Sequence, residues 1–341
     1  TTLLPNQKTK DIPAISIYAK NLEVPWAIAF LPDGRMLVTE RPGRVKIIDS
    51  SGNVLESINI DVAAIGEGGL HVIVLDPDFS SNKYVYLYYT YSGDGNNTLN
   101  RVVRYKFEDE KLSEDKIIVD RIPGAPNHDG GRIKFGPDGF LYITTGDAQE
   151  PSLAQNRNSL AGKILRITTE GNPASGNPFA DAQGKPTRVF SYGHRNPQGI
   201  TWDDRSRLWE TEHGSSATDE LNLITPGKNY GWPEIRGDEK RRGFETPVIN
   251  SESTTWAPAG AAFYNGLIFF GGLRGKALYE YKINEQKLVE HLKGTLGRIR
   301  DVVLGPDNML YVTTSNRDGR GNPANEDDKI LKINPEKLSE L

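Results

Sequence analysis

Cysteine is absent from this chain of 341 residues, and methionine occurs only twice. The first absence excludes thiol catalysis, iron–sulfur ligation, Cys-ligated zinc and disulfides. It leaves the compartment open, because a large exported protein with an adequate core needs no disulfide. No apolar run approaches the roughly 18 residues of a membrane-spanning helix. No block of five like charges occurs either, and the formal net charge is −4. The densest basic run, Lys240-Arg241-Arg242, directly follows Asp238-Glu239, so it reads as a solvated loop of mixed charge. A nucleic-acid partner is therefore disfavoured. Helical periodicity is nearly absent: Glu336-Lys337-Leu338-Ser339-Glu340-Leu341 is polar and expected to fray, as are residues 1–12. The chain opens Thr1-Thr2-Leu3-Leu4 with no signal segment and no initiator Met, which reads as a processed or trimmed start.

What the chain has is a phrase that it repeats. Leu31-Pro32-Asp33-Gly34-Arg35-Met36-Leu37-Val38-Thr39-Glu40 returns as Gly136-Pro137-Asp138-Gly139-Phe140-Leu141-Tyr142-Ile143-Thr144-Thr145, and again from Gly305-Pro306-Asp307-Asn308 to Thr314. Each copy is a tight turn feeding a strand. Proline pre-sets φ, aspartate bonds back to the following backbone, and Gly or Asn accepts a positive φ. The residues that follow are aromatic, Leu and β-branched, as strands prefer. Weaker copies begin at Asp76-Pro77-Asp78, Trp202-Asp203-Asp204 and Phe263-Tyr264-Asn265-Gly266.

The turns fall near residues 32, 77, 137, 203, 265 and 306, which makes six units. One such unit cannot bury both of its faces, whereas six packed around an axis bury them against one another. The expected fold is therefore all-β: a six-bladed β-propeller of four-stranded antiparallel blades, forming a single domain over residues 1–341. Two β-sandwich domains would also give short strands at regular spacing. Against them, no Pro/Gly/Ser linker interrupts the chain, and the repeat runs from end to end.

In a propeller the loops at one mouth converge on the axis, so a site draws residues from several blades. Polar residues flanking the repeat units are the candidates. His128, in Pro126-Asn127-His128-Asp129-Gly130-Gly131-Arg132, is an imidazole near a carboxylate and suits a general base. Taken alone it reads first as a loop histidine bonded to a nearby carbonyl. Arg195 and Asn196, in Ser191-Tyr192-Gly193-His194-Arg195-Asn196, could stabilise a negatively charged oxygen. Pairing of Arg195 with a structural carboxylate is the commoner alternative. Glu212-His213-Gly214-Ser215-Ser216-Ala217-Thr218-Asp219-Glu220 is rich in oxygen ligands suited to a hard cation, but lacks EF-hand spacing and equally reads as an Asx-turn loop. Strand alternation would put Arg298 and Arg300 on one face, where an anion between them would relieve their repulsion. The alternative is a solvated basic edge. Asp147, Gln155 and Glu67 also flank repeat units, and candidates from five blades occupy comparable loops.

At this point the residues resemble a known family. Asn127-His128-Asp129-Gly130-Gly131-Arg132, Ile143-Thr144-Thr145-Gly146-Asp147, Ser191 to Asn196, Asp219-Glu220-Leu221-Asn222, Asn229-Tyr230-Gly231-Trp232-Pro233 and Arg298-Ile299-Arg300-Asp301 are similar to blocks of the soluble quinoprotein glucose and aldose sugar dehydrogenases. The blocks keep their order from about Val24 to Lys332. The resemblance implies a propeller holding pyrroloquinoline quinone (PQQ) and Ca²⁺ at its mouth. It implies that His128 takes the proton of the sugar C1 hydroxyl as a hydride passes to the quinone, and that Arg195 steadies the oxyanion. Asp147, Gln155 and Asn196 would contact cofactor or catalytic histidine. Arg298 and Arg300 would bind the three-carboxylate cofactor, and the main-chain oxygens of Gly214 and Ser215 would hold the Ca²⁺.

Three departures from the glucose enzymes stand out. Glu67 replaces a Gln, Arg274 replaces a Lys, and Asn127 replaces an acid beside the base. The chain is also shorter, which favours the broader aldose branch and an open pocket. The implied partners are an aldose substrate and an unidentified electron acceptor, the implied location is periplasmic or extracellular, and the implied state is monomer or homodimer. Two other classes stay in view: a Ca²⁺-dependent propeller lactonase, and a propeller that binds sugar without catalysis. The lactonase would want a carboxylate-rich metal cage and have no use for Arg298 and Arg300. The binding module would tolerate loss of His128 and Arg195, and both are present.

Overall fold

The structure is a computed structural model that describes residues 12–341. It contains six four-stranded antiparallel sheets. The first described strand, β1 (Ile15–Ala19), does not belong to the first blade. Blade 1 consists of β2 (Pro25–Phe30), β3 (Met36–Glu40), β4 (Arg44–Ile48) and β5 (Val54–Asn59). Blade 2 consists of β6 (Leu70–Leu75), β7 (Tyr84–Ser92), β8 (Thr98–Glu108) and β9 (Lys111–Pro123). Blade 3 is β10 (Ile133–Phe135), β11 (Leu141–Thr145), β12 (Lys163–Ile167) and β13 (Val189–Tyr192). Blade 4 is β14 (Pro197–Trp202), β15 (Leu208–Glu212), β16 (Glu220–Ile224) and the two-residue β17 (Ile249–Asn250). Blade 5 is β18 (Pro258–Tyr264), β19 (Leu267–Gly272), β20 (Ala277–Lys282) and β21 (Lys287–His291). Blade 6 is β22 (Ile299–Leu304), β23 (Leu310–Thr314) and β24 (Ile330–Ile333), and β1 completes it by pairing Ile15 with Ile333 and Ile17 with Leu331. The ring is thus closed by hydrogen bonds between the two ends of the described chain.

The fold is the six-bladed propeller that the repeats predict, and each repeated turn joins the first two strands of its blade. The turn aspartates bond back as expected: Asp33 Oδ1 accepts from the Arg35 N–H at 3.0 Å and Asp203 Oδ1 from the Arg205 N–H at 2.9 Å. Gly34 and Asn308 take positive φ there, +90° and +60°. A second role of the turn aspartate emerges in four blades, where an aromatic side chain of the second strand donates to it. The pairs are Tyr86–Asp76, Tyr142–Asp138, Trp209–Asp203 and Tyr311–Asp307, at 2.8, 2.9, 2.9 and 3.1 Å.

Six apolar clusters fill the interfaces between neighbouring blades. Leu37, Val45 and Ile47 of blade 1 meet Val85 and Leu87 of blade 2, for example, and Met36 and Val38 meet Met309 and Ile330 across the seam. Burial of both faces of every blade is what makes the ring cohesive. The C-terminal stretch differs from its expected fraying. Pro335–Glu340 forms a 3-10 turn capped by the Asn334 side chain, and Leu338 is buried in the cluster between blades 5 and 6. Its apolar side chain outweighs the polarity of its neighbours. Residues 1–11 of the other expected frayed end lie outside the described residues. Among the described residues no helix is long and apolar enough to cross a membrane.

Antiparallel register brings the start of each first strand level with the end of each second strand: Pro25 with Glu40, Pro197 with Glu212, Ile299 with Thr314. Loops entering the first strand and leaving the second therefore share one mouth. In blades 1, 2, 4, 5 and 6 the first strand also shifts register at that end. Such bulges re-aim side chains. The irregular segments contain Trp26, His71, Gln198 and Arg300, which meet at the axis. His71 stacks on Trp26 with ring centroids 4.7 Å apart, and Arg300 Nη1 donates to Gln198 Oε1 at 2.6 Å.

Candidate active site

A cavity of about 340 Å³ opens at this mouth. Of the residues named in the sequence, Glu67, Asn127, His128, Arg195, His213, Gly214, Ser215, Asp219, Arg274, Arg298 and Arg300 line it. Asp147, Gln155 and Asn196 stand behind that lining.

His128 sits just ahead of β10 with φ +66°. Its N–H donates to Glu67 Oε2 at 3.2 Å, and its Nδ1 lies 2.8 Å from Asp147 Oδ1. The resemblance gave Asp147 as a contact to cofactor or catalytic histidine, and Asp147, not the adjacent Asp129, is the carboxylate that meets this imidazole. A carboxylate acceptor at Nδ1 fixes the Nδ1–H tautomer and leaves Nε2 with a free lone pair. Close approach is possible because residue 146 is glycine: a Cβ there would stand 1.8 Å from the His128 carbonyl oxygen.

Asp147 is fully buried. Its second oxygen accepts from Trp232 Nε1 at 2.7 Å, and its own N–H donates to the Arg195 carbonyl at 2.8 Å. Trp232 reaches this point because the segment between β16 and β17 folds back over the mouth. Its indole lies between two guanidinium groups, Arg195 and Arg236, each 5.2 Å from the ring centre. Gln155 pins that segment from below, donating to the Trp232 carbonyl at 2.6 Å and exchanging hydrogen bonds with Asn229. Lys163, fully buried, fastens the loop carrying Gln155 by donating to the Leu153 and Ala154 carbonyls at 2.8 and 3.2 Å. Burial pulls its ammonium down to about 7. Asn196 accepts from the Gly130 N–H at 3.1 Å, tying the Arg195 loop to the His128 loop.

Arg195 donates to the Gly214 carbonyl at 2.6 Å and has a buried Nε without a partner. Arg298 is ion-paired, its Nε donating to Asp318 Oδ2 at 2.7 Å. Strict alternation does not describe the Arg298–Arg300 pair, since Arg300 lies in the bulged stretch. Both nonetheless line the cavity. Among the described residues Arg300 has no carboxylate partner; burial, with the charges of Arg298 and Arg41, outweighs the pull of Asp318 and Glu67 and brings it down to about 9. Glu67 is bound by Arg320 at 2.6 Å. Burial pushes the Glu67 carboxyl up, but His213, Arg320 and the His128 N–H outweigh it and hold it at about 2. Burial lowers His213, and its Nε2 lies 2.8 Å from the Pro258 carbonyl.

Several lining residues were not singled out in the sequence: Arg41, Asp318 and Arg320. Arg41 carried a usable signal, because it leaves the second strand of blade 1 just as Asp147 leaves that of blade 3. Arg320 and Asp318 lie in a long loop after β23 with no repeat register to place them. The structure also gathers His194, Glu210 and Glu212, buried side chains whose ligand atoms lie within 4.8 Å of one another. Asn222 Nδ2 donates to Glu210, Glu212 and Glu220 at 3.0, 3.4 and 3.1 Å. Burial and neighbouring carboxylates push Glu210 and Glu220 well up.

An imidazole–carboxylate pair faces a cavity ringed by guanidinium groups on a six-bladed propeller, an arrangement chemically able to take up a proton beside an anionic ligand. Residues 22–329 match the family model described as Glucose / Sorbosone dehydrogenase, and the chain belongs to that family of oxidoreductases. It is 33% identical to the aldose sugar dehydrogenase YliI of Escherichia coli, over 94% of this chain and 92% of that protein. It is 28% identical to quinoprotein glucose dehydrogenase B of Acinetobacter calcoaceticus, over 67% of this chain and 54% of that protein. The solved PQQ-bound aldose sugar dehydrogenase of Streptomyces coelicolor superposes with a TM-score of 0.84 at 39% identity, covering 94% of this chain and 98% of that one.

Proposed function

We propose that this protein is a PQQ- and Ca²⁺-dependent aldose dehydrogenase that oxidises the C1 hydroxyl of a sugar to the lactone. The observation that carries the reading is the Nδ1-anchored His128, whose Nε2 is left free beside a cavity lined by six arginines. The donor set suits PQQ, a tricarboxylate: among the described residues Arg41, Arg274 and Arg300 line the cavity without carboxylate partners, and the buried Nε atoms of Arg41 and Arg300 have no partner there. It suits Ca²⁺ through the main-chain oxygens of Gly214 and Ser215, which are hard ligands.

His128 Nε2 accepts the proton of the C1 hydroxyl, and Asp147 stabilises the imidazolium that results. Arg195, a permanent cation beside His128, holds the oxygen as its negative charge develops. Trp232 keeps the Asp147 carboxylate oriented, and Glu67 fixes the His128 backbone. When bound, PQQ supplies the two-electron acceptor, and Ca²⁺ polarises it as a Lewis acid. Because Arg195 donates to the Gly214 carbonyl, it must share or yield that oxygen when the cation is held there. An aldose substrate, a separate electron acceptor and a periplasmic or extracellular location complete the reading.

The lactonase alternative finds less support, because two of the three carboxylates lining the cavity, Glu67 and Asp318, are committed to arginines. The test is to incubate apoprotein with PQQ and Ca²⁺ and supply an aldose with a dye acceptor. Dye reduction with stoichiometric lactone is expected. Lactone consumption without PQQ, or sugar uptake without turnover, would replace this reading with the hydrolase or the binding module.

A further inference from the structure

We infer that Arg320 is a positioning residue for the reaction: carried across the mouth by a loop of blade 6, it clips together the loops that bear Glu67 and Asn127 and so holds the His128 backbone in its working conformation. The inference rests on the aldose dehydrogenase reading above and adds a residue to it. Arg320 Nη1 donates to Glu67 Oε1 at 2.6 Å, and Nη2 donates to Asn127 Oδ1 at 2.7 Å. These partners lie 253 and 193 positions away along the chain. Glu67 sits in the loop entering β6 and Asn127 in the loop entering β10. One planar fork therefore joins blade 6 to the entrances of blades 2 and 3.

The clip closes around the base. The Glu67 N–H donates to the Pro126 carbonyl at 2.7 Å, and Glu67 Oε2 accepts from the His128 N–H at 3.2 Å. Pro126, Asn127 and His128 are thus held in succession by Glu67, Arg320 and Glu67 again. Gly66 permits the approach, because a Cβ there would stand 2.0 Å from the Pro126 carbonyl oxygen. The grip matters because His128 takes φ +66° without being glycine. Such a conformation persists only where the surroundings over-determine it. The backbone sets where the ring points, so a restraint on residues 126–128 is also a restraint on the contact between Nδ1 and Asp147.

Arg320 is itself firmly rooted. Its N–H donates to Asp318 Oδ1 at 2.9 Å, while the other oxygen of Asp318 takes Arg298. Arg317 Nε donates to the Asp327 carbonyl at 2.6 Å and ties the same loop down ahead of β24. The Arg320 side chain is 54% exposed. Ion pairs so open to water add little to stability, so stability alone gives no account of the fork. Nor does the charge of Glu67 depend on Arg320 alone. His213 and the His128 N–H also favour the carboxylate, and Arg41, Arg195 and Arg300 all feel its charge. What Arg320 supplies is geometry: two donors in a fixed plane that fit two oxygens on separate loops.

The experiment follows dye reduction by an aldose in protein reconstituted with PQQ and Ca²⁺, for the wild type, Arg320→Met, Arg320→Lys, Glu67→Ala and the double variant, with thermal midpoints of each. In Arg320→Met kcat should fall about tenfold, the worth of one charge-assisted hydrogen bond, with KM for the sugar within about twofold of wild type. Arg320→Lys should fall in between, because an ammonium lacks the fork. On the Glu67→Ala background the Met substitution should cost less than about twofold, since the two residues act as one unit. The midpoint of Arg320→Met should stay within about 2 °C of wild type. A KM that rises at unchanged kcat would make Arg320 a sugar contact. Additive losses would separate it from Glu67, and a midpoint that falls in step with kcat would reduce it to a structural tie. Each of these three results overturns the positioning role and leaves the function standing. Should Glu67→Ala fail to fold, the kinetics and midpoints of Arg320→Met and Arg320→Lys decide. No turnover in the wild type overturns both readings.

Discussion

The indole N–H of Trp232 lies 2.7 Å from Asp147 Oδ2, across 85 positions of sequence. The other oxygen of that carboxylate holds His128, so on the proposed reading the base is positioned through a residue that does not line the cavity. Trp232→Phe keeps the ring between Arg195 and Arg236 and deletes only the donor. We expect kcat to fall about tenfold, in line with one lost hydrogen bond to a charged group. The carboxylate becomes a stronger acceptor, so the low-pH limb of kcat/KM should move to higher pH. A rate profile measured from pH 5 to 9 checks this; a change in KM alone would mean the indole serves binding.

Asp129 follows His128 but faces away from the chemistry. It accepts from Asn100 Nδ2 at 2.9 Å, its other oxygen is buried without a partner, and burial pushes its carboxyl up to about 7. A carboxyl raised in the native state binds a proton that the unfolded chain has released. Stability therefore declines as pH rises from about 4, the unfolded value, to about 7. Asp129→Asn removes that slope and should stabilise the protein by a few kcal/mol, on the order of one pKa unit per 1.4 kcal/mol, above pH 7. Chemical denaturation at pH 4.5 and pH 8 gives the comparison: the variant and wild type should differ more at the higher pH.

On the proposed reading, calcium held by main-chain oxygens would make an unusual demand on two neighbouring residues. Ser215→Ala leaves the carbonyl in place, and the Ca²⁺ concentration for half-maximal reconstitution should change less than twofold. Gly214→Ala is different, because its Cβ would stand 2.0 Å from the Ala217 carbonyl oxygen and 2.5 Å from that of Thr218. The turn must open, and we expect the midpoint to rise at least about tenfold, one 1.4 kcal/mol step. Equal effects of the two substitutions would remove Ca²⁺ from this loop.

The hydroxyl of Tyr142 donates to Asp138 at 2.9 Å, one of the aromatic–aspartate pairs that recur in the blades. Tyr142→Phe should lower stability by about 0.5–1.5 kcal/mol in a denaturant titration, the net worth of one hydrogen bond. No loss would show the contact to be incidental to the turn.

The blades were legible in the sequence because their signature is local. Proline, aspartate and a residue tolerant of positive φ set a turn within four positions, and strand residues follow at once. Candidate loops were legible for the same reason, since they flank those units. What sequence left hidden depends on distance along the chain. Nothing near Ile15 announces that it pairs with Ile333. Nothing near Trp232 announces Asp147, and the partnership of Arg298 with Asp318 changes which cations are left over. Period-2 reasoning placed Arg298 and Arg300 together, but a bulge, invisible in a single sequence, sets the direction of Arg300. The polar C-terminal stretch docks because one leucine among charged residues is enough to bury a turn, a contact its composition does not announce.

The seam in blade 6 also orders events in time. The earliest described strand to leave the ribosome waits for the last, more than three hundred residues later. Arg298 and Arg300 are likewise late arrivals. The blade that carries Arg298 and Arg300 is thus complete only when the two ends of the described chain have met.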